Sequence, residues 1–135
     1  MGDGGPGLTR LDADECWALL GHGHVGRIAL EDEDTIVIVP VNYAVDGTVV
    51  VFRTQEENLL GRAASWGRRV AFQVDHLDPD AHTGWTVLAR GELRRADEQE
   101  TERLAALVSP WAGGERPVVG RIVVARIDGR RVGPS

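Results

Sequence analysis

The fold is decided by one stretch of sequence, Ile36-Val37-Ile38-Val39-Pro40-Val41-Asn42-Tyr43-Ala44-Val45-Asp46-Gly47-Thr48-Val49-Val50-Val51-Phe52-Arg53-Thr54. β-Branched residues fill both halves, and Asp46-Gly47 is typical of a tight turn, so the stretch predicts a β-hairpin. Apolar residues occupy consecutive positions, so we expect neither face of the hairpin to be fully exposed to solvent. A closed or nearly closed barrel satisfies this, with one face inside and the other covered by a helix or a second subunit. Pro40 lacks an N–H and is expected at an edge or a bulge.

The second strand of the hairpin delivers Arg53 and Thr54 to the start of a predicted helix. Free backbone N–H groups, the positive end of the helix dipole, a guanidinium and a hydroxyl together suit a phosphorylated cofactor. Two structural alternatives stay open. Thr54-Gln55-Glu56-Glu57 fits a capping box that uses the same donors, and Arg53 can pair with Asp75 or with a neighbouring glutamate instead.

The rest of the chain indicates a mainly β, α+β domain. Asp12 with Glu15 and Asp97 with Glu100 form N-cap pairs for the first and third helices. We predict a flexible tail at residues 1–10 and a single domain at 11–135. The predicted strands are 25–30, 35–45, 48–53, 69–75, 84–94 and 118–127, and the predicted helices run from Asp12 to before Gly21, from Gln55 to Trp66 and from Asp97 to Val108.

The composition excludes several classes of protein. The chain has 135 residues and a net charge of −6, which argues against a nucleic-acid binder. No apolar run approaches the roughly 20 residues of a membrane span, and with one cysteine there is no disulfide framework, so we expect a cytoplasmic protein. All fifteen basic residues are arginines. Any anion site is therefore built from arginine, hydroxyls or backbone.

Residue patterns for catalysis or metal binding are absent from the sequence. His22-Gly23-His24 and the run from Asp75 to His82 fit no zinc-binding spacing, so we predict no metal site. There is no convincing set of nucleophile, base and orienting residue either. Catalytic residues therefore stay unassigned at this stage.

Six short motifs, in this order and at these intervals, carry a family resemblance: Val25-Gly26-Arg27-Ile28, Pro40-Val41-Asn42-Tyr43-Ala44, Val51-Phe52-Arg53-Thr54, Val70-Ala71-Phe72-Gln73-Val74-Asp75, Thr83-Gly84-Trp85-Thr86-Val87-Leu88 and Gly129-Arg130-Arg131-Val132. From Leu11 to Val132 the chain resembles the FMN-binding split barrels of the pyridoxamine 5′-phosphate oxidase-like superfamily, in particular its small actinobacterial-type members. The resemblance implies an antiparallel split β-barrel with a few short flanking helices. It also implies a homodimer with FMN at the subunit interface.

The resemblance also implies site residues. The strand matching Val41, Asn42 and Tyr43 runs beside the isoalloxazine ring, although the polar groups of Asn42 and Tyr43 can equally be satisfied by backbone carbonyls. The strand end matching Arg53 and Thr54 takes the phosphate. Two further residues, Trp111 and Arg116, match a stretch that reaches across the interface.

One position departs from the family pattern. Members usually carry a lysine four or five residues after the matching threonine, where Asn58 and Leu59 stand here. Asn58 itself is kept as a candidate cofactor-binding residue, and Arg62, one helical turn onward, can partly substitute for the missing cation. Glu56 and Glu57 add negative charge at the same helix start, and like-charge repulsion there would weaken phosphate binding.

These observations predict an FMN-binding, flavin-dependent oxidoreductase that acts on a small-molecule substrate. The missing lysine and the capping box motivate an alternative, a flavin-free split barrel that serves as a small-molecule binding or interaction protein. A third possibility is a deazaflavin-dependent reductase, whose phosphate would meet the same Arg53.

Overall fold

The computed structural model describes residues 7–133, which form seven strands and three helices. In chain order the elements are β1 (Leu8–Leu11), α1 (Ala13–Leu20), β2 (Val25–Asp32), β3 (Thr35–Asp46), β4 (Val49–Thr54), α2 (Leu59–Trp66), β5 (Arg68–Asp78), β6 (Thr83–Arg95), α3 (Glu98–Ala105) and β7 (Val118–Val132).

The strands form an antiparallel barrel. The sheet order is β1-β7-β4-β3-β2-β5-β6, and β6 also pairs with β7, so strands β2 to β7 close on themselves. β7 makes this closure possible because it is long: its first half pairs with β4, its last residues pair with β1, and its other edge pairs with β6. The predicted split-barrel fold, mainly β with short flanking helices, is confirmed.

Apolar side chains cover both faces of β4, as the sequence predicts. Phe52 points into the barrel, where it is fully buried together with Phe72 and Ile122. Val51 points outward and is fully buried in a second cluster, against Leu104 of α3. A helix therefore covers the outer face of this part of the barrel.

Several sequence-based boundaries differ from the structure: β5 and β7 extend to Asp78 and Val132, beyond the predicted ends at 75 and 127. Residues 8–10, assigned above to a flexible tail, form β1 with Leu11 and pair with residues 130–132 of β7. This strand depends on the far end of the chain, so no local pattern indicates it; residues 1–6 lie outside the described part. The third helix begins after Asp97, as predicted, but ends at Ala105 rather than Val108.

The capping box predicted at residues 54–57 is wrong. Thr54 still belongs to β4 and pairs with Val118, so the chain needs a turn before a helix can begin. α2 starts four residues later than the box requires, with Asn58 as its N-cap. Asn58 Oδ1 accepts from the Gly61 N–H at 3.0 Å and from the Thr54 hydroxyl at 2.8 Å.

β3 changes partners along its length, and this opens the wall of the barrel. Residues 35–42 pair with β2, whereas only residues 43–46 pair with β4. Pro40 lies in the half that lacks β4 and pairs with Arg27 on its other side, which confirms its predicted place at an edge. Where β3 and β4 diverge, the first residues beyond their shared pairing are Asn42 in the middle of β3 and Arg53 near the end of β4.

Gly120 is required by the ring that lies over it. It sits directly opposite Phe52 on the neighbouring strand, and a Cβ atom at this position would overlap the Phe52 ring. We expect Gly120→Ala to lower the free energy of unfolding by about 1–3 kcal/mol, the usual cost of overpacking a core. Chemical denaturation measures this. Gly113→Ala, where a Cβ atom meets nothing within 4 Å, is the matched control, and equal stability of the two variants would contradict the prediction.

Tyr43 provides a spectroscopic test of the core. Its hydroxyl donates to the Leu20 carbonyl at 2.6 Å, and burial raises the pKa of the phenol from 10.0 to about 12. Because the raised pKa belongs to the folded state, this contribution to stability is complete below pH 10.0 and is lost as the pH rises toward about 12. Tyr43 is the only tyrosine, so the ultraviolet absorbance of tyrosinate should titrate in one step near pH 12. A midpoint near pH 10 in protein that circular dichroism shows to be folded would contradict this, and Tyr43→Phe supplies the blank.

Candidate functional site

The divergence of β3 and β4 leaves a cavity of about 250 Å³. It is bounded by the middle of β3, the end of β4, the start of α2 and the loop between α3 and β7 (residues 106–117, the α3–β7 loop). Its lining residues are Val39, Pro40, Val41, Asn42, Arg53, Thr54, Asn58, Leu59, Leu60, Pro110, Ala112 and Arg116.

Charge in the cavity comes from two arginines. Arg53 is half-buried, and it donates through Nε to the Arg116 carbonyl at 3.4 Å and through Nη1 to the Val108 carbonyl at 3.5 Å. Both hydrogens of Nη2 and one of Nη1 are left, so Arg53 can still donate hydrogen bonds to a phosphate or carboxylate. Within residues 7–133, no hydrogen bond or ion pair involves the guanidinium of Arg116.

The start of α2 adds uncharged donors. Leu59 and Leu60 line the cavity at the first positions of the helix, where backbone N–H groups have no partner inside the helix. Asn58 Oδ1 is used by Thr54 and Gly61, which leaves its Nδ2 group available to donate. An anion at this point would also meet the positive end of the helix dipole.

No acidic side chain lines the cavity among the described residues. Glu56 forms a two-point ion pair with Arg95, with N···O distances of 2.8 and 3.0 Å, and this hydrogen bonding lowers the pKa of its carboxyl group. The Glu57 carbonyl accepts a hydrogen bond from Arg62. Because the Glu56 carboxylate is paired and neither glutamate lines the cavity, the repulsion expected from them is reduced.

The nine site residues proposed from the sequence divide into two groups. Six of them line the cavity together: Val41, Asn42, Arg53, Thr54, Asn58 and Arg116. The other three do not. Tyr43 points into the core, Arg62 turns toward the Glu57 carbonyl, and Trp111 keeps its side chain outside with 73% of its surface exposed. Arg116, rather than Arg62, is therefore the second cation at this site.

Sequence reasoning missed part of the apolar lining. Val39 lies two residues before Val41 on the same strand and so shares its face, a signal that the alternation of a strand provides. Leu59 and Leu60 follow from the later start of α2. Pro110 and Ala112 reach the cavity through the α3–β7 loop, and no local pattern places them there.

This arrangement can bind an anionic group beside an apolar surface. The lining contains no histidine, cysteine or carboxylate that would transfer a proton near neutral pH. Among the described residues there is also no cluster of three or more potential metal ligands, and no helix long and apolar enough to cross a membrane. The lining thus offers groups for binding an anion rather than for proton transfer.

The outer surface of the barrel carries a second, open groove of about 950 Å³ between β2, β5, β6 and β7. It is lined in part by five arginines, Arg68, Arg69, Arg90, Arg94 and Arg126, and by the apolar residues Ile36 and Val123. Ile36 and Ile38, on the neighbouring edge of β3, have exposed fractions of 73% and 64%. The single chain thus leaves a sizeable apolar surface uncovered.

Comparison with known proteins gives relatives along nearly the whole chain. The uncharacterized protein Rv0080 of Mycobacterium tuberculosis is 30% identical over 130 residues, which cover 93% of this chain and 86% of that protein. The structure of a FAD-binding protein from Mycobacterium smegmatis is 32% identical, with a TM-score of 0.72 over 92% of this chain and 97% of that one. A conserved protein of unknown function from Corynebacterium diphtheriae is 28% identical, with a TM-score of 0.76 over 93% of this chain and 98% of that one.

The sequence also matches the pyridoxamine 5′-phosphate oxidase family model across residues 12–131, a span that contains the barrel strands β2 to β7 and the whole cavity lining, apart from the last residue of β7. The chain therefore belongs to the pyridoxamine 5′-phosphate oxidase family.

Proposed function

We propose that the protein binds FMN with its phosphate in the cavity between β3 and β4, and that it acts as a flavin-dependent oxidoreductase on a small-molecule substrate. The observation that carries the proposal is the convergence of Arg53, Arg116 and the start of α2 on one cavity without acidic lining residues. A bound flavin would supply the hydride chemistry, so the absence of an acid–base set in the lining is consistent with this role.

The phosphate would be held by Arg53 and Arg116. Arg53 would use its remaining Nη hydrogens, since its other donors already contact the α3–β7 loop. Arg116 supplies the second positive charge that the family usually takes from the lysine, which is replaced here by Asn58 or Leu59. Desolvation of a dianion needs such compensation, because an unpaired charge is costly away from water.

The isoalloxazine ring would extend from the cavity along the unpaired edge of β3. Val39 and Val41 provide apolar contacts there. The cavity of about 250 Å³ is smaller than the roughly 300–1,000 Å³ of typical cofactor sites, so one chain cannot enclose a flavin. This supports a homodimer in which the partner covers the ring.

The choice among flavins is part of the proposal. The Mycobacterium smegmatis relative is described as FAD-binding, whereas the local site, a single compact anion pocket, favours the phosphate monoester of FMN. A deazaflavin is the less favoured alternative. Parallel titrations with FMN, FAD, riboflavin and a deazaflavin would separate these cases.

Arg53→Ala tests the phosphate assignment. We expect it to weaken FMN binding by about 1.5–3 kcal/mol, or about 10- to 150-fold, through loss of a charge-assisted bond. Riboflavin, which lacks the phosphate, should bind the variant and the parent protein alike. The measurement is fluorescence or calorimetric titration. Arg103→Ala, which removes an arginine of α3 that pairs with Asp46 outside the cavity, is the control.

Two results would contradict the proposed FMN binding. Purified protein that is colourless and shows neither flavin absorbance nor a thermal shift at saturating FMN would favour the flavin-free binding protein. Equal loss of riboflavin and FMN affinity in Arg53→Ala would instead place the phosphate elsewhere.

Ile38→Asp tests the proposed dimer. Ile38 is 64% exposed on the β3 edge beside the cavity, and a buried carboxylate in an interface would be strongly unfavourable. We expect this variant to be monomeric by light scattering and to lose FMN affinity. Leu77→Asp, at an apolar residue of the β5–β6 hairpin that is 58% exposed, should leave both unchanged. A parent protein that is monomeric with bound FMN would contradict the proposal.

A further inference from the structure

Both ends of the Asn42 side-chain amide are engaged within the chain. Its Oδ1 atom accepts a hydrogen bond from the backbone N–H of Trp111 at 2.8 Å, and its Nδ2 group donates to the His24 carbonyl at 3.4 Å. Asn42 therefore connects β3 to the α3–β7 loop on one side and to the segment before β2 on the other. These contacts fix the orientation of the amide before any ligand arrives.

The α3–β7 loop depends on this contact at its centre. Near its two ends, the Val108 and Arg116 carbonyls accept from Arg53 at 3.5 and 3.4 Å, distances at which hydrogen bonds are weak. The bond from Trp111 to Asn42 is much shorter, at 2.8 Å. Among these three contacts, the Asn42 bond is thus the one with strong geometry.

The position of Trp111 sets part of the cavity wall. Its neighbours Pro110 and Ala112 both line the cavity, whereas the indole itself is 73% exposed beside it. Movement of the residue 111 backbone would displace both lining residues and the indole together. A large apolar side chain left in solvent next to a proposed flavin site is well placed to cover a flat ring.

We propose that Asn42 is a positioning residue, which holds the α3–β7 loop and the Trp111 indole against the flavin site rather than contacting the flavin itself. The flavin part of this statement rests on the proposed function, whereas the loop part does not. The amide of Asn42 acts through the backbone of residue 111, so its removal loosens the loop first and weakens flavin binding as a consequence.

Hydrogen exchange of the flavin-free protein tests the loop part. In the parent protein the Trp111 amide should be protected, and in Asn42→Ala it should exchange at least about fivefold faster, as expected for the loss of one hydrogen bond of about 1 kcal/mol. Trp111→Pro removes the same bond from the other side, because proline has no N–H. Trp111→Ala keeps the N–H and is the matched control, so the exchange of residues 112–116 should stay at the parent rate.

FMN titration of the same variants tests the flavin part. Asn42→Ala and Trp111→Pro should each lower FMN affinity, and Trp111→Pro should lower it more than Trp111→Ala does. The double variant Asn42→Ala/Trp111→Pro should bind FMN no more weakly than Trp111→Pro alone. Asn42→Asp, which retains an acceptor for the Trp111 N–H, should keep the parent exchange rate.

Two results would overturn the proposal. One is a Trp111 amide that exchanges freely in the parent protein. The other is a loss of FMN affinity in Asn42→Ala with unchanged exchange across the loop, which would make Asn42 a direct flavin ligand. If the parent protein binds no FMN, the proposed function fails, but the exchange data still decide whether Asn42 holds the loop.

Discussion

The site depends on the fact that β3 cannot keep β2 and β4 as neighbours along its whole length. Its first eight residues pair with β2 alone, and β4 joins only for the last four. Pro40 has no N–H to offer on the free edge, so a further strand gains little by pairing there. The wall of the barrel therefore opens beside Asn42 and Arg53, just beyond the last pair of residues that β3 and β4 share. The cavity, its two arginines and the loop that bounds it lie at this opening.

The sequence predicted those parts of the fold that depend on neighbouring residues. The hairpin, the six barrel strands and the N-caps at Asp12 and Asp97 are set by local patterns, and the structure contains them. Features that depend on distant contacts were beyond such reasoning. β1 forms only because β7 offers an edge, and Thr54 fails as a helix cap because its pairing with Val118 keeps it in β4.

The same distinction explains the site. Val41, Asn42, Arg53 and Thr54 could be grouped from the sequence because they sit on two strands of one hairpin. Arg116 comes from a loop more than sixty positions after Arg53 in the chain, and its carbonyl contact with Arg53 is a tertiary feature. The ion pair of Glu56 with Arg95 is equally non-local. It offsets the negative charge of a residue that the sequence suggested would weaken anion binding.

Strand β4 joins the core and the cavity through consecutive residues. Phe52 fills the barrel against Gly120, and Arg53, the next residue, faces the cavity and pairs with Val119. A backbone shift that accommodates a different side chain at position 52 would also move Arg53, because the two residues are consecutive in β4. We therefore expect substitutions in β4 that raise thermal stability to alter ligand binding as well. Substitutions in β4 that are selected for a new ligand should in turn change the stability of the core.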